Sequence, residues 1–536
     1  MHLDLLASKA LSNIPKILGL LDRNRHSRTY GCFDRNFWHY RIIDFPSGMS
    51  QQMVLPLALV YALDLPKNHF KNDPVIFDFI KAGIGFAAQS AHGDGSSDDY
   101  FPFERAAGAS AFSLYAIISA INILSLDLDN EIPEAKPFLM KRAHWLAAHR
   151  ESGQLSNHEA LIALTLLLAS RTLDDPSLKI AGESRLLRAL SWQHDEGWFQ
   201  EYEGCDPSYL TVTIALLAQY HCLKPSEKLQ QAISRAVHFV AQMQHPDGTL
   251  GGEYASRNMI LYYPQGFELA GEWINEALTI NDRFLCALAD GRGPTFQDDR
   301  IIAHETIAYL LAWRDYRHDR PESKQRPSDS EGRQWFAGAS LLVEKRGALT
   351  LYAGLNKGGS FKLFRGNKNI ASDTQVSIKT RGKKARVAVG HMLCADNTIT
   401  FATDEITVAG DFGWAKNKGM NTISLLLLRV FMLGPGRFCA DCVRKLLQRI
   451  LIVGRKPAPY LFFRRFVWTS EGLRVEDKID GDTWVDVESM MIGSDQTSIY
   501  IAGSRNFQPD QLFAWVDLSG ELEESQPVLF QRTFRA

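Results

Sequence analysis

Apolar residues recur at helical spacing over the first 316 positions and alternate at strand spacing over the last 200 or so. From about residue 50 to 316, runs such as QQMVLPLALVYAL, AGASAFSLYAIISAINIL, NHEALIALTLLLAS, YLTVTIALLAQYHCL and LQQAISRAVHFVAQM have the length and periodicity of helices with a buried face. Polar turns containing Gly or Pro separate them. Beyond residue 334 the period falls to two. SLLVEK, LTLYAGL, SFKLF, QVSIKT, ARVAVGHM, TITFATDEITVAG, LRVEDKI and WVDVESMMI read as short strands in series, which predicts an antiparallel β-sandwich. Residues 317–334 are charged, Pro-containing and almost free of apolar side chains, the composition of a linker. The expected domains are therefore 1–316, helical, and 335–536, a sandwich.

The loops between the helices repeat a phrase. His92-Gly-Asp-Gly leads to Asp99-Tyr100, Gln193-His-Asp-Glu-Gly to Glu201-Tyr202, and Gln244-His-Pro-Asp-Gly to Glu253-Tyr254. A weaker version, His149-Arg-Glu-Ser-Gly, ends in Asn157-His158. The period is about fifty residues, the length of a helical hairpin with its loops. Such a hairpin cannot bury its apolar face alone. Five or six of them arranged as an incomplete α/α toroid would do so and would gather one set of loops around a central cleft; an open solenoid is the alternative.

Composition narrows the class. The chain has 536 residues, 45% hydrophobic and 22% charged, with 59 basic against 61 acidic side chains and a formal charge of −2. That balance lacks the basic excess of a general nucleic-acid binder. Seven scattered cysteines exclude a disulfide scaffold, and Cys439 and Cys442 form a lone C-x-x-C without the second pair of a zinc ribbon. The N-terminal segment MHLDLLASKALSNIPKILGLLDRNRH is interrupted by Lys9, Pro15 and Lys16, which reads as an amphipathic helix rather than a signal peptide or membrane span and makes a cytoplasmic protein the expectation. Residues 424–468 carry nine Lys or Arg and one acid, Asp441. They read either as a basic amphipathic helix in peripheral contact with an anionic membrane, or as a helical insertion near 424–458 whose apolar side packs on the sandwich and whose arginines stay solvated. The second is the plainer expectation.

Candidate chemistry concentrates in the repeated loops: Trp198, Phe199, Tyr202, Tyr254, Tyr262, Tyr263, Asp98, Asp99 and His245. Aromatic faces cover the C–H surface of a sugar ring while nearby polar groups bond its hydroxyls. Two helix starts stand out. Ser156-Asn157-His158-Glu159 has the pattern of a capping box, and in Cys205-Asp206-Pro207-Ser208-Tyr209 the aspartate caps while Pro207 takes the first turn. Capping accounts for Ser156, Glu159, Asp206 and Pro207; it leaves Asn157, His158 and Tyr209 unexplained.

These two segments resemble the heparinase II/III-like polysaccharide lyases. SNHEALIALTLLLAS is similar to the Asn-His helix of that family, and DEGWFQEYEGCDPSYLTVTIALLAQY to its downstream acidic loop and Tyr-bearing helix. The separation of the two motifs and the toroid-plus-sandwich order also match, so the resemblance covers nearly the whole chain. It implies β-elimination on a uronic-acid-containing polysaccharide. The C5 proton lies α to a carboxylate and is weakly acidic, so its removal needs a placed base and neutralisation of the enolate-like charge. By this resemblance Asn157, His158 and Tyr209 are catalytic. Asn157 bonds the carboxylate, His158 is a second donor or base, and Tyr209 takes the C5 proton or returns one to the departing oxygen. A phenol's ordinary pKa is about 10, so a cation such as Arg257 or a histidinium is needed beside it. Arg105, Trp198, Tyr202, Asp206, Tyr254 and Arg257 are the expected contacts to an acidic poly- or oligosaccharide.

The chain departs from the family in its sandwich. The family's His-x-His-Ala-Asp type segment has no counterpart in YAGLNKGGSFKLFRGNKNIASDTQ, and His391 is the sandwich's one histidine. Lys357, Lys362 and Arg365 are the cations that would stand in. The aromatic segment at 30–52, with Asp34, Arg35, Trp38, His39 and Tyr40, is expected at the cleft rim. No cofactor is required and no metal-ligand set is read, although a structural divalent metal stays open. The competing functions are a uronyl C5-epimerase in polysaccharide biosynthesis, a glycoside hydrolase pairing Asp98 or Asp99 with Asp206 or Glu253, and a non-catalytic glycan-binding protein of the same fold.

Overall fold

The computed structural model describes residues 2–536 except 152, 296–299, 322–329, 383–384, 417–420, 452–454, 495–511 and 523–525. Six inner helices, Val54–Ala62, Ala107–Leu124, Ser156–Thr172, Pro207–Leu223, Pro264–Ala270 and Ile302–Arg314, each pack on the next. The sequence leads to five or six pairs in an incomplete ring; contact between Ile302–Arg314 and Val54–Ala62 runs the ring round. The outer layer comprises His2–Leu20, Pro74–Ser90, Ala135–Ala148, Pro176–Leu190, Glu227–Met243 and Asn275–Ala289. Hydrophobic pattern sorts the two layers. Val54–Ala62 and Ala107–Leu124 are apolar and buried nearly all round, whereas Glu227–Met243 buries one stripe through Leu229, Ile233, Ala236, Val237 and Val240. Ala107–Leu124 is long and apolar enough to cross a bilayer, but it lies at the core of the ring.

The repeated phrase folds into one recurring turn. The histidine N–H reaches across the turn in the three strong copies: His92 to Ser96 O at 2.9 Å, His194 to Trp198 O at 2.8 Å and His245 to Thr249 O at 2.9 Å; in the weaker copy the His149 N–H closes the preceding helix on Trp145 O instead. The turn needs a residue at positive φ, which Gly95, Gly197 and Gly248 supply at +87°, +103° and +86°. At Gly197 a side chain would also strike the Arg235 carbonyl, only 2.3 Å from an ideal Cβ.

The C-terminal part is an antiparallel sandwich. One sheet runs in sequence order through Gly332–Phe336, Leu341–Arg346, Leu349–Gly354, Ser360–Arg365 and Lys368–Asp373. The other orders Val516–Asp517, Val487–Ile492, Val376–Thr380, Val387–Val389, Glu405–Trp414, Pro457–Thr469, Gly472–Gly481 and Val528–Arg535, with Thr398–Phe401 paired to Glu405–Trp414. Gly332–Phe336 begins inside the stretch read as linker. Leu349–Gly354 is buried at every position because it has two covered faces. Leu349, Leu351 and Ala353 face the second sheet, while Tyr352 joins the core of the toroid. Between the sheets, fully buried Arg464 holds Asp373 at 2.8 Å and Asp477 at 2.6 Å, and Arg532 bonds the same two carboxylates.

A helical insertion, Thr422–Leu433 and Ala440–Leu451, leaves the second sheet between Glu405–Trp414 and Pro457–Thr469. The expectation that its apolar side packs on the sandwich is corrected. Met432, Ala440 and Val443 pack on Phe101 of a toroid loop, drawn there by Arg444, which is buried against Glu104 and Glu151 rather than solvated.

Replacing Gly197 with alanine should destabilise the protein by about 1–3 kcal/mol through left-handed strain and the clash with Arg235. Urea unfolding measures this directly, and an unchanged midpoint would mean that the turn is not constrained as described.

Candidate active site

Two neighbouring loops are tied together just before the Asn157 helix. Leu155 pairs antiparallel with Glu201, Tyr202 N–H donates to Gln154 O at 2.8 Å, and Ser156 Oγ donates to Gln200 O at 2.7 Å. This miniature ladder replaces the expected capping box. The helix starts without a side-chain cap, and Glu159 pairs with Arg185 at 2.9 Å instead. The ladder also sets Glu201 beneath the helix start, where one carboxylate oxygen accepts the Asn157 N–H at 3.0 Å.

The Tyr209 helix is capped as the sequence predicts. Asp206 Oδ1 accepts the N–H groups of Ser208 and Tyr209 at 3.0 and 3.2 Å, with Pro207 in the first turn. Its second oxygen accepts the backbone N–H of Arg257 at 3.0 Å. The Arg257 guanidinium bonds the second oxygen of Glu201 at 3.0 Å. It lies over the rings of Tyr209 and Tyr202, 3.9 and 4.6 Å from their centroids. Asn157, Tyr202, Tyr209 and Arg257 are thus gathered around one buried carboxylate. Asn157 is nearly buried, yet its side-chain oxygen has no hydrogen-bond partner among the described residues. That oxygen is free to accept a hydrogen bond from water or from a bound molecule.

His158 extends the cluster. Its Nδ1 bonds Glu151 at 2.7 Å while 23% of the side chain stays exposed. Glu151 also pairs with Arg444 at 2.7 Å, and Arg444 reaches Glu104 at 3.0 Å. Phe112 packs edge-on to His158 and lies 4.5 Å from His304, whose Nδ1 meets the Tyr263 hydroxyl at 2.7 Å. Tyr263 stood among the loop aromatics expected from the sequence, whereas Glu151, Glu201, Arg444 and His304 were not singled out. The repeated phrase contained both glutamates, but nothing local pointed to Arg444.

Other expected contacts lie elsewhere. Tyr254 is buried, with its hydroxyl on His245 Nε2 at 2.9 Å and its ring beside Tyr352, because the first sheet covers it. Trp198 stacks on His194 and donates to Glu196, which in turn accepts the N–H groups of Gly338 and Ala339. Both aromatics serve the toroid–sandwich interface. Asp206 is occupied by backbone donors and positions its neighbours. Arg105 pairs with Asp94 at 2.8 Å and shows no described contact with the cluster. The sandwich cations do not reach it either. Lys357 donates to the carbonyls of Glu253 and Ala255 and to Asn258, Lys362 faces Glu253 at 3.4 Å, and Arg365 bonds the Arg535 carbonyl. His391 is buried in the sandwich, and burial together with Lys357 pushes its pKa down to about 3.

The carboxylates considered for hydrolysis are engaged in loop structure. Asp98 bonds His92 and two backbone N–H groups, Asp99 bonds Ser47 and Arg300, Asp206 caps its helix, and Glu253 faces Lys362. In the 30–52 segment Asp34 accepts the N–H groups of Asn36 and Ser47, and Ser47 ties the segment to the loop that bears Asp99. Among the described residues no group of three or more His, Cys, Asp or Glu side chains is placed to hold a metal ion. A cavity of about 630 Å³ lined by Arg25, Arg28, Lys81 and Lys141 shares no residue with the cluster.

Charge is set by burial and pairing. Burial pushes the Tyr209 phenol up to about 12 against the pull of Arg257, so the resting group is a neutral acid. Burial alone would also raise Glu151, but His158 and Arg444 hold it down to about 2.

No protein-family model and no curated protein matches the chain. Solved structures do. The chondroitin AC lyase of Streptomyces coelicolor A3, in complex with chondroitin sulphate, aligns over 92% of this chain and 68% of its own, with a TM-score of 0.56 and 11% identity. A tyrosine-to-alanine mutant of that lyase aligns over the same shares at 0.53 and 10%. Heparinase III gives 0.48 and 11% over 83% of this chain and 63% of its own. This chain has the chondroitin AC lyase fold. At that identity the likeness concerns the arrangement of toroid and sandwich, and the chemistry must be argued from the side chains.

Because the native Glu151 carboxyl titrates below its ordinary value, the stability it contributes is present above about pH 4.5 and lost as pH falls toward 2. The loss is at most about 3 kcal/mol. Denaturant titrations across this range should show the fall in the native chain and a flatter profile in Glu151→Gln. Superimposable profiles would contradict the assignment.

Proposed function

We propose that this protein is a polysaccharide lyase that cleaves a uronic-acid-containing glycan by β-elimination. In this reading the substrate carboxylate accepts a hydrogen bond from the Asn157 side-chain NH2, and the open Oδ1 accepts from a sugar hydroxyl. His158, oriented through Nδ1 by Glu151, presents its other ring nitrogen as the base. The C5–H electron pair forms the C4–C5 double bond, the bond from C4 to the glycosidic oxygen breaks, and the proton passes from C5 to His158. The departing oxygen takes the Tyr209 proton. Arg257, 3.9 Å over that ring, offsets the phenolate charge as it forms, and solvent then returns the proton balance to the resting state.

The observation that supports this reading best is the bridging role of Glu201. Its two oxygens hold Asn157 from one motif and Arg257 over Tyr209 from the other. A neutral Tyr209 favours the acid role over the base role among the two the resemblance allows. The lyase fold of the structural neighbour, whose described complex holds chondroitin sulphate, is consistent with an anionic glycan here.

The test is a panel of uronate-containing polysaccharides followed by near-ultraviolet absorbance, which reports the 4,5-unsaturated product. Tyr209→Phe and His158→Gln should each lower turnover by about 10²–10⁴-fold with the fold intact by circular dichroism. Solvent deuterium entering C5 without chain cleavage would instead indicate an epimerase, and reducing ends without new absorbance a hydrolase. Full activity in Tyr209→Phe would refute the assigned acid.

A further inference from the structure

The helical insertion carries a surface that the proposed chemistry does not use. Among the described residues, its first helix is anchored by Met432 and Leu428 in the cluster with Phe101 and by Arg429 on Asp44 at 2.5 Å. The other sides face outward. Ile423, Leu426, Leu427, Val430 and Leu433 each expose 60–70% of their surface, and Phe438 in the following turn exposes 81%. Scattered exposed leucines are ordinary, but a continuous apolar face of this kind marks a binding surface.

The charge around the face identifies what it fits. No Asp or Glu occurs between residues 422 and 440. Arg437, in the turn after the helix, and Lys445, on the second helix of the insertion, are exposed, while Asp441 faces His149 at 3.5 Å. An anionic surface neutralises these cations, whereas a second copy of the same face brings the same positive charge. The helix has 12 residues, about 18 Å of length, against about 30 Å of bilayer hydrocarbon. It can lie in a headgroup layer but cannot span.

We propose that the insertion docks this protein on an anionic lipid bilayer, with Thr422–Leu433 and Phe438 entering the headgroup–acyl boundary and Arg437 and Lys445 meeting the lipid phosphates. The same insertion holds the cluster, since Arg444 bonds Glu151 beside His158. The docked face therefore belongs to the element that walls the candidate active site. The docking stands independently of the reaction catalysed there.

The experiment is co-sedimentation of the full chain with phosphatidylcholine vesicles, with and without phosphatidylglycerol, combined with sizing of the lipid-free protein. The native chain should pellet at least about tenfold more strongly with the anionic vesicles, and salt should weaken the binding. The triple variant Leu426→Gln/Leu427→Gln/Val430→Gln should lose it, and Arg437→Glu/Lys445→Glu should lower it toward the neutral-vesicle level. As a readout that needs no loss of side chains from the helix, Phe438→Trp should shift its emission to the blue on adding anionic vesicles. No binding to either vesicle would overturn the proposal. So would equal binding by the native and triple-variant chains, or a native dimer that the triple variant abolishes without any lipid effect.

Discussion

The loop from Glu253 to Met259 must satisfy many buried polar groups at once, and the candidate site depends on how it does so. Asp206 takes the Arg257 N–H, Glu201 takes its guanidinium, and Lys357 comes from the sandwich to take two carbonyls and the Asn258 side chain. An unpaired group in such surroundings costs on the order of 1–3 kcal/mol, more if charged. The loop therefore has few places to go. Its fixed position is what sets a cation over Tyr209, and it couples two helix starts of the toroid to a strand turn of the sandwich.

That coupling is reinforced by a shared core. Ala339, Leu341, Val343, Tyr352 and Phe364 of the first sheet belong to the same apolar cluster as the toroid helices. The sheet is thus a middle layer, covered by loops on one face and by the second sheet on the other. Its buried lysines and tyrosine hold the loops that bear the site. The histidine of the sandwich stays apart from the chemistry, and the toroid supplies the aromatic, amide and imidazole groups from its own helix starts.

Much of this was legible in the chain because periodicity reports burial directly. The inner helices, most strands and the Asp206 cap follow from local pattern. Asn157, His158 and Tyr209 stood out because capping left them unexplained, and Arg257 because a phenol needs a cation. What was hidden depended on partners far apart in sequence. Glu201 bridges two motifs only because Leu155 pairs with it, and Arg444 meets Glu151 across 293 positions. Tyr254 and Trp198 misled for a different reason. An aromatic in a repeated loop reads alike whether a sugar or a second domain covers it. Likewise, the insertion's apolar spacing gave its helices but not the surface they would choose, which a buried ion pair decides.

Arg444 has one more consequence, for the order in which the molecule becomes whole. A ribosome completes the ring of helices long before it reaches the residue that clasps Glu104 and Glu151, which lies 340 and 293 positions downstream of them. During synthesis the nascent toroid must present Glu104 without Arg444 and Glu151 with His158 alone, and its loop face without the sheet that later covers it. The helical half is thus built with a temporary acidic, partly apolar mouth, and translation of the final third of the chain is what seals it.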